Sequence, residues 1–366
     1  MSNLEKYFEK FRNNIVGIDA TYKTVYGEQK LIYADWIASG RLYRPIEDKM
    51  LDVFGPMVAN THTESSHTGK FMTDAYHFAL KEIKRHVNAG KEDVIVTSGF
   101  GMTSSINKFQ RILGFKNSSF VFENPKERPV VFVTHMEHHS NQTSWYETIA
   151  EVVVVEPDNR LTVSPDELRK VVKKYADRPM KIGSFTACSN VTGIKTPYHE
   201  LAKVMHEEGG LCFVDFAASA PYVEMNMHPA DPMMKLDAIF FSPHKFLGGP
   251  GASGVLIFNS QLYKNRVPDH PGGGTVDWTN PWGEYKYIDD IERREDGGTP
   301  GFLQAIRTAY AIRLKEQMGT DNIQKREEEL VELAFEKTKG IPGLHILADN
   351  CRNRIGAVSF YMENIH

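Results

Sequence analysis

The sequence predicts an α/β protein: a mostly parallel, doubly wound sheet covered by helices, with a smaller α+β segment after it. Three observations predict this. Seven short apolar runs, often β-branched and apolar on both faces, recur between residues 94 and 258, the pattern of strands covered on both sides. Helix-start and helix-stop signals fall between the runs. The chain has 366 residues, 41% hydrophobic and 25% charged, more than a single core usually serves, so two domains are expected.

The strands expected in order are Val94–Thr97, Val130–Thr134, Val152–Val155, Ile182–Thr186, Cys212–Asp215, Ala238–Ser242 and Val255–Phe258. A helix is expected from Met102 onward, after the Gly99/Gly101 turn. Ser164-Pro165-Asp166-Glu167 reads as a second helix start, with a capping serine, proline at the first position and glutamate placed for a capping box. Thr196 to His206 is expected to be helical, closing at Gly209-Gly210. Alternation of this kind places a ligand at the carboxyl ends of the strands. After Gly297-Gly298-Thr299-Pro300-Gly301 the pattern changes. A long helical stretch runs from Phe302 to Lys339, broken at Gly319, and strands follow at His345–Leu347 and Ala357–Tyr361. The expected domains are a helical segment over 1–30, a large domain over 31–300 and the start of a small domain over 301–366.

The net charge of −4 offers no basic excess for nucleic acid or an anionic membrane. No apolar stretch reaches membrane-spanning length, and the polar, amphipathic N-terminus does not read as a secretory signal. Three cysteines, Cys188, Cys212 and Cys351, give neither a disulfide framework nor metal-type pairs. A cytoplasmic location is expected, and the Asn-x-Ser/Thr matches at Asn117, Asn141 and Asn190 are then fortuitous.

The segment Asp237 to Phe258, DAIFFSPHKFLGGPGASGVLIF, carries the most chemistry. Two apolar runs flank Ser242, His244 and Lys245. A lysine between core strands is costly without a task, and burial lowers an amine's pKa, which suits it to Schiff-base chemistry. Four further segments add candidates. The start of the helix at Gly101, Met102 and Thr103 offers free N–H groups to a phosphate, although small turns before helices are common. His135, His138 and His139 lie within five positions and allow a metal reading, for which no carboxylate or cysteine ligand is evident nearby. Asn190 ends a strand in TACSNVTG, where asparagine is usually a turn-former. Asp215 ends the apolar run LCFVD; an acid there needs a partner or caps the following turn. Gly249 to Gly254 spells G-x-G-x-x-G, but it precedes a strand, not a helix, so a dinucleotide fingerprint is rejected.

Taken in order, these segments resemble the class V aminotransferase and cysteine desulfurase family of pyridoxal-phosphate enzymes, over roughly Tyr33 to Met318. The carriers are Ser-x-His-Lys at Ser242–Lys245, Met-Glu-His-His at Met136–His139, the Ser-Asn-Val-x-Gly turn at Ser189–Gly193, and the strand-end Asp215. Softer matches are Tyr33–Gly40, His270–Thr275 and Arg294–Pro300.

The resemblance implies a fold-type I enzyme with pyridoxal 5'-phosphate, Lys245 bonding the cofactor aldehyde as an internal aldimine and moving the substrate's α-proton. It implies His138 stacked on the pyridine ring, Asp215 on the ring nitrogen, and Asn190 at the phenolic oxygen or the substrate carboxylate. Gly101, Met102, Thr103, Ser242 and His244 would hold the phosphate, with Thr275 supplied by the second subunit of a homodimer. Arg41 and Arg44 are further candidates for a substrate carboxylate.

Two departures are visible. Met102 stands where the family has threonine, and Ala218 where it has glutamine or histidine. The small domain is expected to be incomplete, ending before the family's nucleophilic cysteine loop and carboxylate-binding arginine. The implied substrate is an amino acid, with C–S lyase or transaminase chemistry left open. The alternatives are a catalytically silent cofactor-binding protein and a metal hydrolase built on His135–His139.

Overall fold

The structure is a computed structural model describing residues 3–62, 65–116, 122–159 and 161–365; Asn117 lies outside the described residues. Seven strands form the central sheet: β1 Asp93–Ser98, β2 Val130–Thr134, β3 Glu151–Val155, β4 Lys181–Thr186, β5 Leu211–Asp215, β6 Ala238–Phe241 and β7 Gly254–Asn259. Their order is β1-β7-β6-β5-β4-β2-β3. Strands β3, β2, β4, β5 and β6 pair in parallel. β7 runs antiparallel to both of its neighbours, β6 and β1. The sheet is thus mixed at one side and parallel across the rest.

Every run expected for the central sheet is found, with ends displaced by at most one residue. Alternation within each strand explains how both faces are buried. Phe132, Phe185, Val214, Ile239 and Ile257 face one core. Val131, Val133, Phe213, Phe240 and Leu256 face the other. Each buried side chain of this size contributes about 1.5–3 kcal/mol relative to exposure.

The principal helices are α1 Asn3–Arg12, α2 His67–His86, α3 Met102–Ile112, α4 His139–Tyr146, α5 Pro165–Lys173, α6 Tyr198–Glu207, α7 Phe302–Met318 and α8 Thr320–Thr338. Ser164 caps α5, its side chain accepting from Glu167 N–H. α3 packs Ile106, Phe109 and Ile112 on one face of the sheet; α5 and α6 pack Leu168, Val172, Leu201 and Met205 on the other. The break at Gly319 has φ +77°, a left-handed conformation that glycine adopts at little cost.

Two details differ from the sequence reading. Residues 1–30 are not wholly helical: Thr21–Thr24 and Gly27–Lys30 pair as an antiparallel hairpin, turned at Gly27 with φ +96°. The C-terminal strands are Leu344–Ile346 and Phe360–Met362, paired with each other and not with the central sheet. That segment docks on the large sheet's loops through an Ile194–Arg354 bridge and an Ile355 N–H bond to Gly193 O. Among the described residues no helix is long and apolar enough to cross a membrane.

Candidate active site

The carboxyl ends of β2, β4, β5 and β6 open onto a cavity of about 880 Å³. Its lining includes nine of the ten residues that the resemblance implies for the cofactor: Gly101, Met102, Thr103, His138, Asn190, Asp215, Ser242, His244 and Lys245.

Lys245 sits on a single 3-10 turn, Pro243–Lys245, immediately after β6. The chain there is pressed against two neighbours. A Cβ on Gly249 would lie 1.9 Å from Pro243 O, and one on Gly40 would lie 2.0 Å from Phe246 O. Gly249 of the rejected dinucleotide pattern, and the Gly40 end of the Tyr33–Gly40 segment, therefore serve close backbone packing around the lysine loop. Gly40 N–H donates to His244 O at 2.9 Å, tying the entry segment to the same turn. Burial pushes the Lys245 amine down, opposed by Asp215, Cys188 and Asp35. The amine is therefore closer to its neutral, nucleophilic form than a surface lysine.

At one end of the cavity, α3 begins at Met102 with Gly101 as its N-cap and no side-chain cap. Met102 N–H donates to Ser242 Oγ at 2.8 Å, so the lysine loop and the helix start are joined directly. Thr103 Oγ1 and Ser140 Oγ lie 2.6 Å apart, which adds Ser140, unremarked in the sequence, to the lining. A Cβ on Gly101 would approach Ser242 Oγ to 3.1 Å and His244 Nε2 to 3.5 Å, so a side chain there would crowd the Ser242 hydroxyl. An uncapped helix start beside two hydroxyls and an imidazole is suited to a phosphate.

At the other end Asp215 is 3% exposed, with one carboxylate oxygen accepting from Ala217 N–H at 2.8 Å. Burial pushes its carboxyl up to about 6, against the Ala217 bond and Lys245. A buried acid in that state is stabilised by a cationic partner. Between the two ends, His138 caps α4 with its Nδ1 accepting from Ser140 N–H at 3.1 Å. That bond leaves Nε2 to carry the ring proton. Burial, Lys245 and His139 all hold His138 below the ordinary histidine value.

Asn190 projects from the turn after β4, where Ser189 Oγ accepts from Val191 and Thr192 N–H. Thr275 is not in the cavity. It is fully buried, and its hydroxyl donates to Gly272 O at 2.6 Å within its own turn. Arg41 and Arg44 do not line the cavity either; Arg41 covers the Tyr33 ring and donates to Val16 O. Cys188 does line it, 1% exposed, with burial pushing the thiol up to about 12. Ala218 packs beside it. Cys212 is fully buried in the core. Among the described residues no group of three His, Cys, Asp or Glu could hold a metal ion.

The aminotransferase class-V family model matches residues 32–366. The chain belongs to that family. Class V members are pyridoxal-phosphate-dependent enzymes acting on amino acids, and this chain is an enzyme of that kind. A probable cysteine desulfurase of Staphylococcus epidermidis is 30% identical over 339 residues, covering 92% of this chain and 78% of that protein. A probable cysteine desulfurase of Staphylococcus aureus is 28% identical over 345 residues, with the same coverage. Among solved structures, the cysteine desulfurase of Thermococcus onnurineus superposes with a TM-score of 0.80 at 24% identity, covering 98% of this chain and 83% of the other. The cysteine desulfurase CsdA of Escherichia coli gives 0.75 at 21% identity, covering 100% and 84%. These likenesses establish the fold as that of the class V enzymes.

The residues present fit the family's cofactor. The bare Gly101 position at an uncapped helix start, the half-buried amine and the buried acid beyond it match its phosphate, aldehyde and protonated ring nitrogen. Glu137, which the sequence reading passed over, joins β2, α4 and β4 beneath His138. Its position inside Met-Glu-His-His was the only signal available.

Proposed function

We propose that this class V enzyme binds pyridoxal 5'-phosphate covalently on Lys245 and acts at the Cα of an amino acid. The observation carrying this is the arrangement of a half-buried, depressed amine between an uncapped helix start and a buried carboxyl in one cavity. When bound, the cofactor supplies an electron sink for negative charge at the substrate's Cα.

The chain's own residues do the rest. Gly101, Met102 and Thr103, with Ser242 and His244, hold the phosphate. Asp215 keeps the ring nitrogen protonated. His138, with its Nδ1 fixed by Ser140, covers the ring. Lys245, its amine pushed down from the ordinary lysine value by burial, moves the proton at Cα. Asn190 lies on the rim where it can orient the phenolic oxygen or the substrate carboxylate.

The named relatives favour C–S cleavage over transamination, so cysteine is the first substrate to test. Cys188 does not serve as the sulfur acceptor in this reading, because burial keeps its thiol protonated at neutral pH. Cys351 lies outside the cavity. We further propose a cytoplasmic homodimer in which the His270–Thr275 turn reaches the partner's phosphate, with the Thr275 hydroxyl exchanging Gly272 O for a phosphate oxygen. The division into 1–30, 31–300 and 301–366 is proposed on the change of pattern after Gly301.

The test is a visible spectrum after adding cofactor, followed by turnover with cysteine, selenocysteine and alanine. A new visible band that amino acids bleach, with turnover of one of the three, supports the proposal. A band without turnover of any amino acid would reduce the chain to a binding protein.

A further inference from the structure

The ladder between β2 and β4 stops early. It pairs Val130 with Lys181, Val131 with Ile182 and Phe132 with Gly183. Beyond that point the strands separate, and the cavity opens above the gap. Ser184 O and Thr186 N–H, which a continued ladder would have paired, are met by two side chains. Asn141 Nδ2 donates to Ser184 O at 3.1 Å. Thr186 N–H donates to Glu137 Oε1 at 2.9 Å.

Glu137 collects three further donors. Thr134 N–H and Thr134 Oγ1 donate to the same oxygen at 3.1 and 2.7 Å. Asn141 Nδ2 donates to Oε2 at 2.7 Å. The Asn141 amide is locked in this orientation, because its Oδ1 accepts from Ser184 Oγ at 2.8 Å and from Trp145 Nε1 at 3.2 Å. Glu137, Asn141, Ser184, Thr186, Thr134 and Trp145 are all buried. Burial pushes the Glu137 carboxyl up to about 7, and the donors facing both of its oxygens oppose that push.

Glu137 precedes His138 in sequence and Asn141 follows it by three residues, and His138, Thr186 and Asn190 line the same cavity. We propose that Glu137, wedged with Asn141 between the parted strands, is a positioning residue that sets His138 against Thr186 and Asn190 across the cavity. It touches neither substrate nor cofactor. It acts by replacing the missing rungs with a carboxylate of fixed length, so that the two strands keep one separation. The proposal rests on the reading that His138 covers the cofactor ring.

Glutamine at this position is nearly isosteric but turns one acceptor into a donor. Its Nε2 would meet the locked Asn141 Nδ2, or its flipped form would face the three donors around Oε1. Glu137→Gln therefore loosens the wedge without creating a void. In cofactor-free protein, hydrogen exchange at the Thr186 amide is expected to be at least tenfold faster in Glu137→Gln than in wild type, with exchange in β5 and β6 unchanged.

In the loaded enzyme, kcat with the amino acid that turns over is expected to fall at least tenfold, with KM within threefold of wild type. Should Glu137→Gln fail to fold, Thr134→Val removes one donor to Glu137, together with the acceptor of Met136 N–H, and is expected to show the same pattern at about threefold. Wild-type exchange at Thr186, or an unchanged kcat in the folded variant, overturns the proposal. So does a loss of activity that only tracks the fraction of unfolded protein. If wild type itself takes up no cofactor, the functional reading fails, while the exchange result still reports on the wedge.

Discussion

Asp215 is built to be uncomfortable until a cation joins it, and Asp215→Asn shows this most directly. The asparagine keeps an oxygen for the Ala217 N–H and removes the charge. Burial holds the native carboxyl at about 6 instead of 3.8. An acid whose folded value is raised contributes nothing below its unfolded value, where both states are protonated. As pH rises from about 4 to 6 the unfolded chain ionises first, and stability is lost. Above about pH 6 the loss is complete, at about 3 kcal/mol by linkage.

Cofactor-free Asp215→Asn should therefore match wild type near pH 4 and exceed it by about 3 kcal/mol at pH 7. Urea unfolding of both proteins from pH 4 to 8 measures the gap. The same variant should bind the cofactor more weakly, because the ring nitrogen loses its counter-charge. A gap that does not change with pH, or an asparagine variant less stable than wild type at pH 7, would refute the reasoning.

Three other outcomes are expected. Ser242→Ala leaves the buried Met102 N–H without its acceptor and should cost about 1–3 kcal/mol in thermal or urea unfolding, with weaker cofactor affinity because the helix start shifts. Gly254→Ala places a Cβ 2.2 Å from Gly101 O; a backbone clash of that size should cost more than about 2 kcal/mol and displace the phosphate loop, read as a lower melting temperature and lost cofactor uptake. Lys315 is 1% exposed, its amine held by Ala220 O and Val223 O, and burial pushes it down to about 7. The unfolded chain therefore holds a proton between pH 7 and 10 that the folded chain lacks, so wild type should gain stability over that window while Lys315→Met does not.

The seven strands were legible because each is apolar on both faces, and such runs have few other places to go in a layered fold. The reversed direction of β7 was not legible. Periodicity reports burial and carries no sign of strand direction. The hairpin at Thr21–Lys30 was missed because its strands are mostly exposed, so no apolar alternation marks them.

Of the residues lining the cavity, Lys245 and Asp215 stand out in the sequence because a buried charge is costly without a partner, whereas the Gly101–Thr103 turn is a common feature of helix starts and rests on the resemblance. Ser140 and Glu137 do not stand out. Their roles depend on partners such as Thr103, Thr186 and Asn141 brought together by folding, and Glu137 sits among histidines that attract the attention first. Thr275 was read from resemblance alone, and within one chain its hydroxyl is already engaged.

The central claim is that the Lys245 amine bonds a vitamin B6 aldehyde. Borohydride reduction of the cofactor-loaded protein, followed by proteolysis and mass spectrometry, tests it most directly. The account predicts a stable pyridoxyl adduct on the peptide containing Lys245 and its absence in Lys245→Ala. An adduct on any other lysine, or none on the wild-type chain, would contradict it.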